Sequence, residues 1–476
     1  MVRDFIPKLI EESISIINLL NDKLSFILLF VLLGSGVFYT LKTKFIQFNF
    51  KNIWLALQEG FTDSDKSSQK ISPFEAFAVT TASRVGTGNL AGVALALTLG
   101  GPGSIFWMWL TALLGGSLAF VESTLAQLYK KTDTTTNPTH FVGGPSYYIE
   151  KGLGSKRLGK VFAVLLVFVF GLSFNAVQSN TISQAVFNNF NIPTLFSAII
   201  LSILTALFIF KGLHSIAKIS TIIVPVMAII YLILCLFVIG KNITRLPDVF
   251  QLIFEHAFGL KAFGTGTFIG TITIGIKRGL FSNEAGMGSA PNAAAAASTS
   301  HPVKQGFIQA FGVFFDTILI CSATAFLILF SGVDFTDINN SGIILTQKAL
   351  NTFFGDFGSL FLTICIFLLA FSSVLGNYFY AHNSFSFLSK KPSVQLLFKC
   401  SVIIAVFLGS VGSLPFVWSI ADLFMTFLAL INLYAIIKLH KILSVVVLDY
   451  NKQRAKNIDP IFKKENFKEY GDLDSW

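Results

Sequence analysis

An all-α integral membrane protein is the fold class this sequence predicts, on three observations. Of its 476 residues, 53% are hydrophobic and only 13% are charged, about half of the roughly 25% charge that a soluble domain carries. The apolar residues gather into runs close to the roughly 20 residues a helix needs to cross a bilayer. The basic residues divide unevenly between the loops on alternate sides of those runs. A mean hydropathy of +0.70 and 52 Phe agree. These features exclude a soluble enzyme and a disordered scaffold. They also exclude a nucleic-acid binder, because the net charge of +10 follows from membrane topology and forms no shared basic face. Cys235, Cys321, Cys365 and Cys400 contain no CxxC pair, so neither a disulfide framework nor a zinc site is expected. The six His have no metal spacing, and no P-loop or nucleophilic dyad is present. No cofactor is expected, and any transport must be driven by an ion gradient.

The first 22 residues mix charged and apolar side chains (Arg3, Asp4, Lys8, Glu11, Glu12, Asp22) without the basic start and cleavage site of a signal peptide. Eleven transmembrane helices are predicted, near 24–41, 73–98, 104–129, 160–187, 194–210, 217–240, 262–297, 305–331, 357–388, 396–411 and 414–443. The chain divides into an N-terminal segment with one extra helix (1–45), two five-helix units (73–240 and 262–443) and a polar tail (444–476) with no domain of its own. Loops on one side, with the tail and the span ends that border them (Lys160, Lys218, Lys399, Lys438 and Lys441), hold 25 of the 35 Lys and Arg; the other side holds 7, and Arg84, Lys277 and Arg278 fall inside spans. That asymmetry predicts an outside N-terminus and a cytoplasmic C-terminus, in the cell membrane (the inner membrane of a bacterium).

Two spans carry the same irregularity. The second contains Arg84-Val85-Gly86-Thr87-Gly88-Asn89, and the seventh contains Gly275-Ile276-Lys277-Arg278-Gly279 followed by Ser282-Asn283-Glu284-Ala285-Gly286-Met287-Gly288-Ser289. Each Gly costs about 1 kcal/mol relative to Ala inside a helix, so both stretches are predicted to unwind. Unwound backbone survives at membrane depth only where protein or a water-filled cavity satisfies it. With span 1 set aside, the broken helices are the first and sixth of ten core helices. Each therefore opens a five-helix half, and five being odd, the halves run in opposite directions. Paired broken helices at matching positions of an inverted repeat point to a transporter's binding site. Close packing through small residues is the plainer explanation, but it does not account for Asn89, Asn283 and Glu284. Gly86-Thr87-Gly88-Asn89-Leu90-Ala91-Gly92 has GxGxxxG spacing inside an apolar span and follows no strand, so it is no dinucleotide fingerprint.

Four stretches carry a family resemblance: Thr81-Ala-Ser-Arg-Val-Gly-Thr-Gly-Asn-Leu-Ala-Gly-Val93, Gly100-Gly-Pro-Gly-Ser-Ile-Phe-Trp-Met-Trp-Leu-Thr-Ala112, Gly143-Gly-Pro-Ser-Tyr-Tyr-Ile-Glu-Lys-Gly-Leu-Gly154 and Lys277-Arg-Gly-Leu-Phe-Ser-Asn-Glu-Ala-Gly-Met-Gly-Ser-Ala-Pro291. The chain resembles the alanine or glycine:cation symporters, sodium-coupled amino-acid carriers with the inverted-repeat fold of the bacterial leucine transporter. The resemblance implies import of a small neutral amino acid, alanine or glycine first, with sodium as the coupling ion. Glutamine, serine and proton coupling stay open as alternatives.

A zwitterion at the midplane needs both charges compensated, because a bare ion there costs several kcal/mol or more. Free N–H groups at Gly86–Asn89 suit its carboxylate, and Gly88 permits close approach. By resemblance, substrate contacts fall on Thr87, Asn89, Gln178, Phe281, Met287 and Ser373. Gln178 lies in an unusually polar patch, Asn175-Ala176-Val177-Gln178-Ser179-Asn180, which would otherwise read as interhelical hydrogen bonding. The fold also implies a sodium site formed by the hydroxyl pair Ser372-Ser373 and the carbonyls of Ala82 and Val85. The plainer reading of that pair is serines bonding back to their own helix. Many relatives carry Trp where this chain has Asn377, a smaller, polar side chain that bears on substrate size.

Ionisable residues inside a membrane are functional candidates by default; here they are Glu75, Arg84, Glu122, Lys277, Arg278, Glu284, Asp316 and Asp422. Glu284 is the candidate for shaping the second break or for binding a cation or ammonium. Arg84 is expected to pair with one of the carboxylates. An ion channel is the competing function class, but it needs no tight substrate site; saturable countertransport separates the two.

Overall fold

The computed structural model describes residues 2–62, 71–133, 140–259, 268–470 and 473–476, and its helices follow the apolar runs. The chain begins with α1 (Val2–Lys42), α2 (Phe50–Thr62) and α3 (Pro73–Arg84), then re-forms through a π turn (Gly88–Gly92) into α4 (Val93–Gly100) and α5 (Gly103–Leu128). A short hairpin, β1 (Lys131–Asp133) and β2 (His140–Val142), pairs Lys131 with Val142. α6 (Pro145–Gly152) leads to α7 (Lys156–Leu166), which runs through a π stretch (Val167–Ser173) into α8 (Phe174–Phe190). Next come α9 (Thr194–Lys211), α10 (Leu213–Lys241), α11 (Leu246–Ala257), α12 (Phe268–Asn283) and α13 (Pro291–Ala294). α14 (Pro302–Val313) continues through a second π stretch (Phe314–Cys321) into α15 (Ser322–Ser331). The chain ends with α16 (Ile343–Phe354), α17 (Asp356–Leu388), α18 (Pro392–Val411), α19 (Leu414–Lys438) and α20 (His440–Ala455).

Among the described residues, nine helical stretches are long and apolar enough to cross a membrane. The outward faces show why a bilayer is the solvent. Ile222, Val226, Ile229, Ile233 and Phe237 of α10 are exposed, as are Ile199, Ile203, Leu207 and Phe210 of α9. Their three- and four-residue spacing makes a continuous apolar stripe, larger than a water-soluble monomer leaves open.

Predicted spans 73–98 and 262–297 are both interrupted, although residues 262–267 lie outside the described residues. Two sequence expectations need correction here. The stretch Gly275–Gly279 stays helical inside α12, and unwinding starts only at Glu284. Its glycines serve packing: a Cβ on Gly275 would meet Ser104 O at 2.5 Å, and one on Gly279 would meet Thr111 Cβ at 3.1 Å, so α12 lies directly on α5. The expected last span, 414–443, ends instead at Lys438; the chain turns at Leu439, and α20 is a separate helix. A 20-residue apolar window also passes over the short α2, α6, α11 and α16.

α5, α12 and α14 pack together, and α8, α17, α18 and α9 form a second group. α3 reaches both, touching α14 on one side and α10 and α17 on the other. The first broken helix therefore lies on the seam between the groups.

Candidate functional site

The first break is framed by local chemistry. α3 opens with a capping box: Glu75 N donates to Ser72 Oγ at 3.1 Å, and Ser72 N donates to Glu75 Oε2 at 2.8 Å. Glu75, a candidate functional charge from sequence, is a helix cap. α3 ends at Arg84, Val85 is extended (φ −79, ψ 93), and the helix resumes at Thr87. A new helix start leaves N–H groups without partners of its own. Here Gly86 N donates to Asn89 Oδ1 at 3.0 Å, and Thr87 N donates to Gln178 Oε1 at 3.1 Å. Side-chain oxygens thus stand where a carboxylate was expected. Thr87 Oγ1 is buried with no hydrogen-bond partner.

Ser373 Oγ lies 2.8 Å from Ala82 O and 3.0 Å from Leu369 O, tying α17 to the last turn of α3. Ser372 Oγ instead donates to Leu369 O of its own helix at 2.7 Å. The structure brings Ser373 to Ala82 and leaves Ser372 turned away. Asn377, one helical turn further on, sits 2.7 Å from Ser83 Oγ through its Oδ1 and donates to Asn175 Oδ1 at 3.1 Å. It fills the joint of α3, α8 and α17.

The second break has a different construction. Glu284, Gly286 and Gly288 all have positive φ (58, 89 and 77), a region that Gly enters freely and Glu at some cost. What holds it is Glu122 of α5. This fully buried carboxylate accepts from Gly286 N at 3.3 Å, Gly288 N at 3.0 Å and Asn432 Nδ2 at 2.8 Å. Asn432 also donates to Gly286 O at 2.9 Å and accepts from Tyr148 OH. Glu284 accepts from Ser289 Oγ at 2.7 Å within the break, and its other oxygen lies 2.7 Å from Ser83 Oγ. Glu284 therefore joins the two breaks. Met287 is completely buried inside the second one, its N–H on Glu284 O.

The breaks meet again at Asp316, in the π stretch after α14. Its carboxylate accepts from Asn89 Nδ2 at 2.7 Å, Ser282 Oγ at 2.7 Å and Thr317 Oγ1 at 2.8 Å. Asn89 belongs to the first broken helix and Ser282 to the second, so one buried acid contacts both. A Cβ on Gly88 would stand 3.0 Å from Ser282 Cα, which explains the need for Gly at that crossing. Phe281 is sandwiched between Phe174 and Trp418, ring centroids 4.4 and 4.6 Å away. Arg278 pairs with Asp422 and lies 4.4 Å over the Trp418 ring, completing an aromatic and ionic cover on that side.

Arg84 departs from expectation. It is 2% exposed; its Nη1 reaches Gln309 O at 3.5 Å, and its Nε and Nη2 have no partner. The guanidinium points past the carboxylates toward α14, so the expected ion pair does not form among the described residues. The role of Glu122 went unread in the sequence because its partners lie more than a hundred residues away, and that of Asp316 because Asn89, which makes it a link between the breaks, is 227 residues away.

The construction predicts the cost of losing Glu122. Glu122→Ala strands two buried N–H groups, each worth about 1–3 kcal/mol, so the melting temperature of the purified protein should fall sharply. Glu122→Gln keeps one acceptor oxygen and should fall between. An unchanged melting temperature in Glu122→Ala would remove the acid from this role.

Comparison with known proteins gives a consistent picture. The family model described as the sodium:alanine symporter family matches residues 10–464. The chain is 46% identical over 462 residues to the amino-acid carrier protein AlsT of Bacillus subtilis, covering 97% of each. It is 45% identical over 463 residues to the probable sodium/glutamine symporter GlnT of the same organism, covering 97% of this chain and 95% of that one. Among solved structures, MhsT in complex with L-phenylalanine superposes with a TM-score of 0.54 at 13% identity, over 80% of this chain and 97% of that chain. At that identity the likeness shows a shared leucine-transporter-like fold.

Proposed function

Since the chain belongs to the sodium:alanine symporter family, and is a transporter and not an enzyme, we propose that it imports a small neutral amino acid together with sodium by alternating access. Alanine or glycine is the first expectation. The observation that carries this reading is the meeting of two helix breaks at buried polar groups, Ser83 with Glu284, and Asn89 and Ser282 with Asp316, beside the contact of Thr87 with Gln178 of α8. The two interrupted helices bring the nine long ones to eleven spans, and the positions of the breaks fit a five-plus-five inverted repeat. The positive-inside pattern puts the N-terminus outside and the C-terminus in the cytoplasm.

On this reading the substrate carboxylate replaces Gln178 Oε1 and Asn89 Oδ1 on the N–H groups of Thr87 and Gly86. Thr87 Oγ1 supplies one further donor, and Gly88 keeps the backbone close. The ammonium faces carbonyls and side-chain oxygens of the second break, with Phe281 and Met287 as apolar walls. Sodium takes Ser373 Oγ with the carbonyls of Ala82 and Val85, and Ser372 joins only if its hydroxyl leaves Leu369 O. The ion would tie the two helix groups together, so its binding raises amino-acid affinity by linkage. Asp316 and Glu284 are where a proton would reside if protons were the coupling ion.

A second substrate reading has one observation in its favour. Asn377 is fully buried beside Ser83 and Asn175, and its amide can turn toward a longer polar substrate. Glutamine, the substrate in the name of GlnT, is that alternative.

The test is uptake of a panel (L- and D-alanine, glycine, serine, glutamine and alanine methyl ester) into proteoliposomes with and without a sodium gradient. Alanine or glycine should accumulate only with the gradient, and the ester should neither enter nor compete. Equal uptake in choline buffer would contradict the sodium reading, and ester competition would contradict the carboxylate assignment.

A further inference from the structure

We infer that the C-terminal segment, residues 449–470 with 473–476, is a strap that holds one face of the carrier shut and has to lift for that face to open. This rests on the alternating-access reading above. α20 turns back from α19 across α5 and α14, and the chain beyond it is anchored at both ends. At the near end, Arg454 and Lys304 grip Glu59 at 2.6 and 2.7 Å, and Lys304 also takes Asp459 at 2.7 Å. Phe462 N donates to Ser300 O at 2.8 Å, and Ser300 Oγ donates to Pro460 O at 3.0 Å. At the far end, Trp476 Nε1 donates to Gln127 O at 3.0 Å while its ring lies 4.2 Å from Lys130 Nζ. Asp474 pairs with Lys151 at 2.6 Å, and Ser475 Oγ is 3.1 Å from Thr132 Oγ1. Phe462 packs between Phe467 and Trp476, at 4.5 and 5.1 Å, and links the two ends.

What the strap grips matters more than how tightly. Glu59 precedes the first broken helix; Ser300 and Lys304 follow the second. Directly between them Ile71 bridges to Ala297, and Ser298 N donates to Ile71 O at 3.0 Å, which zips the lead-in of α3 to the exit of α13. Opening this face to a substrate requires those two segments to part. Parting them pulls Glu59 away from Lys304 and strains the near-end anchors on Glu59, Ser300 and Lys304. Among the anchors are ion pairs with a partly exposed acid, Arg454–Glu59, Lys304–Asp459 and Lys151–Asp474, so added salt weakens the strap. Burial pushes the His301 imidazole down to about 4, and its 3.3 Å contact with Asp449 is then a neutral hydrogen bond that salt leaves in place.

The test locks the strap and then releases it. In the full chain with Cys400→Ser, Thr132→Cys and Ser475→Cys are introduced together. Oxidation should lower amino-acid uptake at least tenfold and reductant should restore it, while either single variant transports normally. Undiminished uptake by the oxidised protein overturns the strap. For release, Asp474→Asn with Trp476→Ala is combined with Ala297→Cys, whose parent residue is completely buried. A membrane-impermeant maleimide should label it at least threefold faster than Ala297→Cys alone, and added salt should speed labelling of the intact strap. Equal labelling rates, or rates indifferent to salt, overturn the proposal. Labelling needs no substrate. Sodium-driven uptake without a labelling response therefore refutes the strap alone, and a labelling response without sodium-driven uptake refutes the transport reading alone.

Discussion

Gly86→Ala should reduce uptake at least about a hundredfold while leaving the protein folded and inserted. The added carbon would meet Ser373 Oγ at 2.3 Å, Gln178 Oε1 at 3.0 Å and Ser373 Cβ at 3.3 Å. Those are the groups proposed to hold the ion and to cover the carboxylate site. Neither has room to move, since Ser373 is fixed to Ala82 and Leu369, and Gln178 to Thr87. Gly86 is not among the glycines with positive φ, so Ala meets no backbone strain and the whole effect falls on the ligands. A displacement of about 1 Å is enough for a hundredfold loss. Gly34→Ala, with nothing within 4 Å of the new carbon, is the control. Ordinary uptake by Gly86→Ala, with a normal gel-filtration profile, would move the binding site elsewhere.

Ser373→Ala should raise the sodium concentration for half-maximal uptake at least about tenfold, equivalent to ~1.4 kcal/mol. Ser372→Ala should change it by less than about twofold. The two serines are neighbours, yet Ser373 bridges to Ala82 and Ser372 only to its own helix. Linkage adds a second signature: amino-acid affinity in Ser373→Ala should recover toward normal at saturating sodium. If Ser372→Ala proved the more damaging, the ion site would have to be redrawn. If protons drive transport, neither change alters a sodium dependence, and the rate follows pH through an acid such as Glu284 or Asp316.

The parts of this site that are legible in sequence are those whose chemistry is local. The composition of Gly86-Thr87-Gly88-Asn89 marks the first break, which is confined to Val85 and Gly86 before the helix resumes at Thr87. Gly286 and Gly288 mark the second break for the same reason. Gly275 and Gly279 look identical in sequence but remain helical, because the surface of α5 decides what a small residue is for. Charges are less legible still. Glu75 faces its own helix end, Arg84 passes its expected partners, and Glu122 works through Gly286, Gly288 and Asn432. Which serine of an adjacent pair faces the seam depends on helix rotation, about 100° per residue, and rotation is set by packing. The tail reads in sequence as a polar extension with no domain of its own; what its composition does not show is that Phe462 packs against Phe467 and Trp476.

The central claim is that one site formed by two helix breaks carries an amino acid and a sodium ion in the same cycle. Simultaneous uptake of a tritiated amino acid and radioactive sodium into the same proteoliposomes tests it most directly. The account predicts that alanine or glycine drives sodium entry in a fixed ratio, and that Gly86→Ala abolishes both fluxes together. Amino-acid uptake with no accompanying sodium, or sodium entry indifferent to the amino acid, would contradict it.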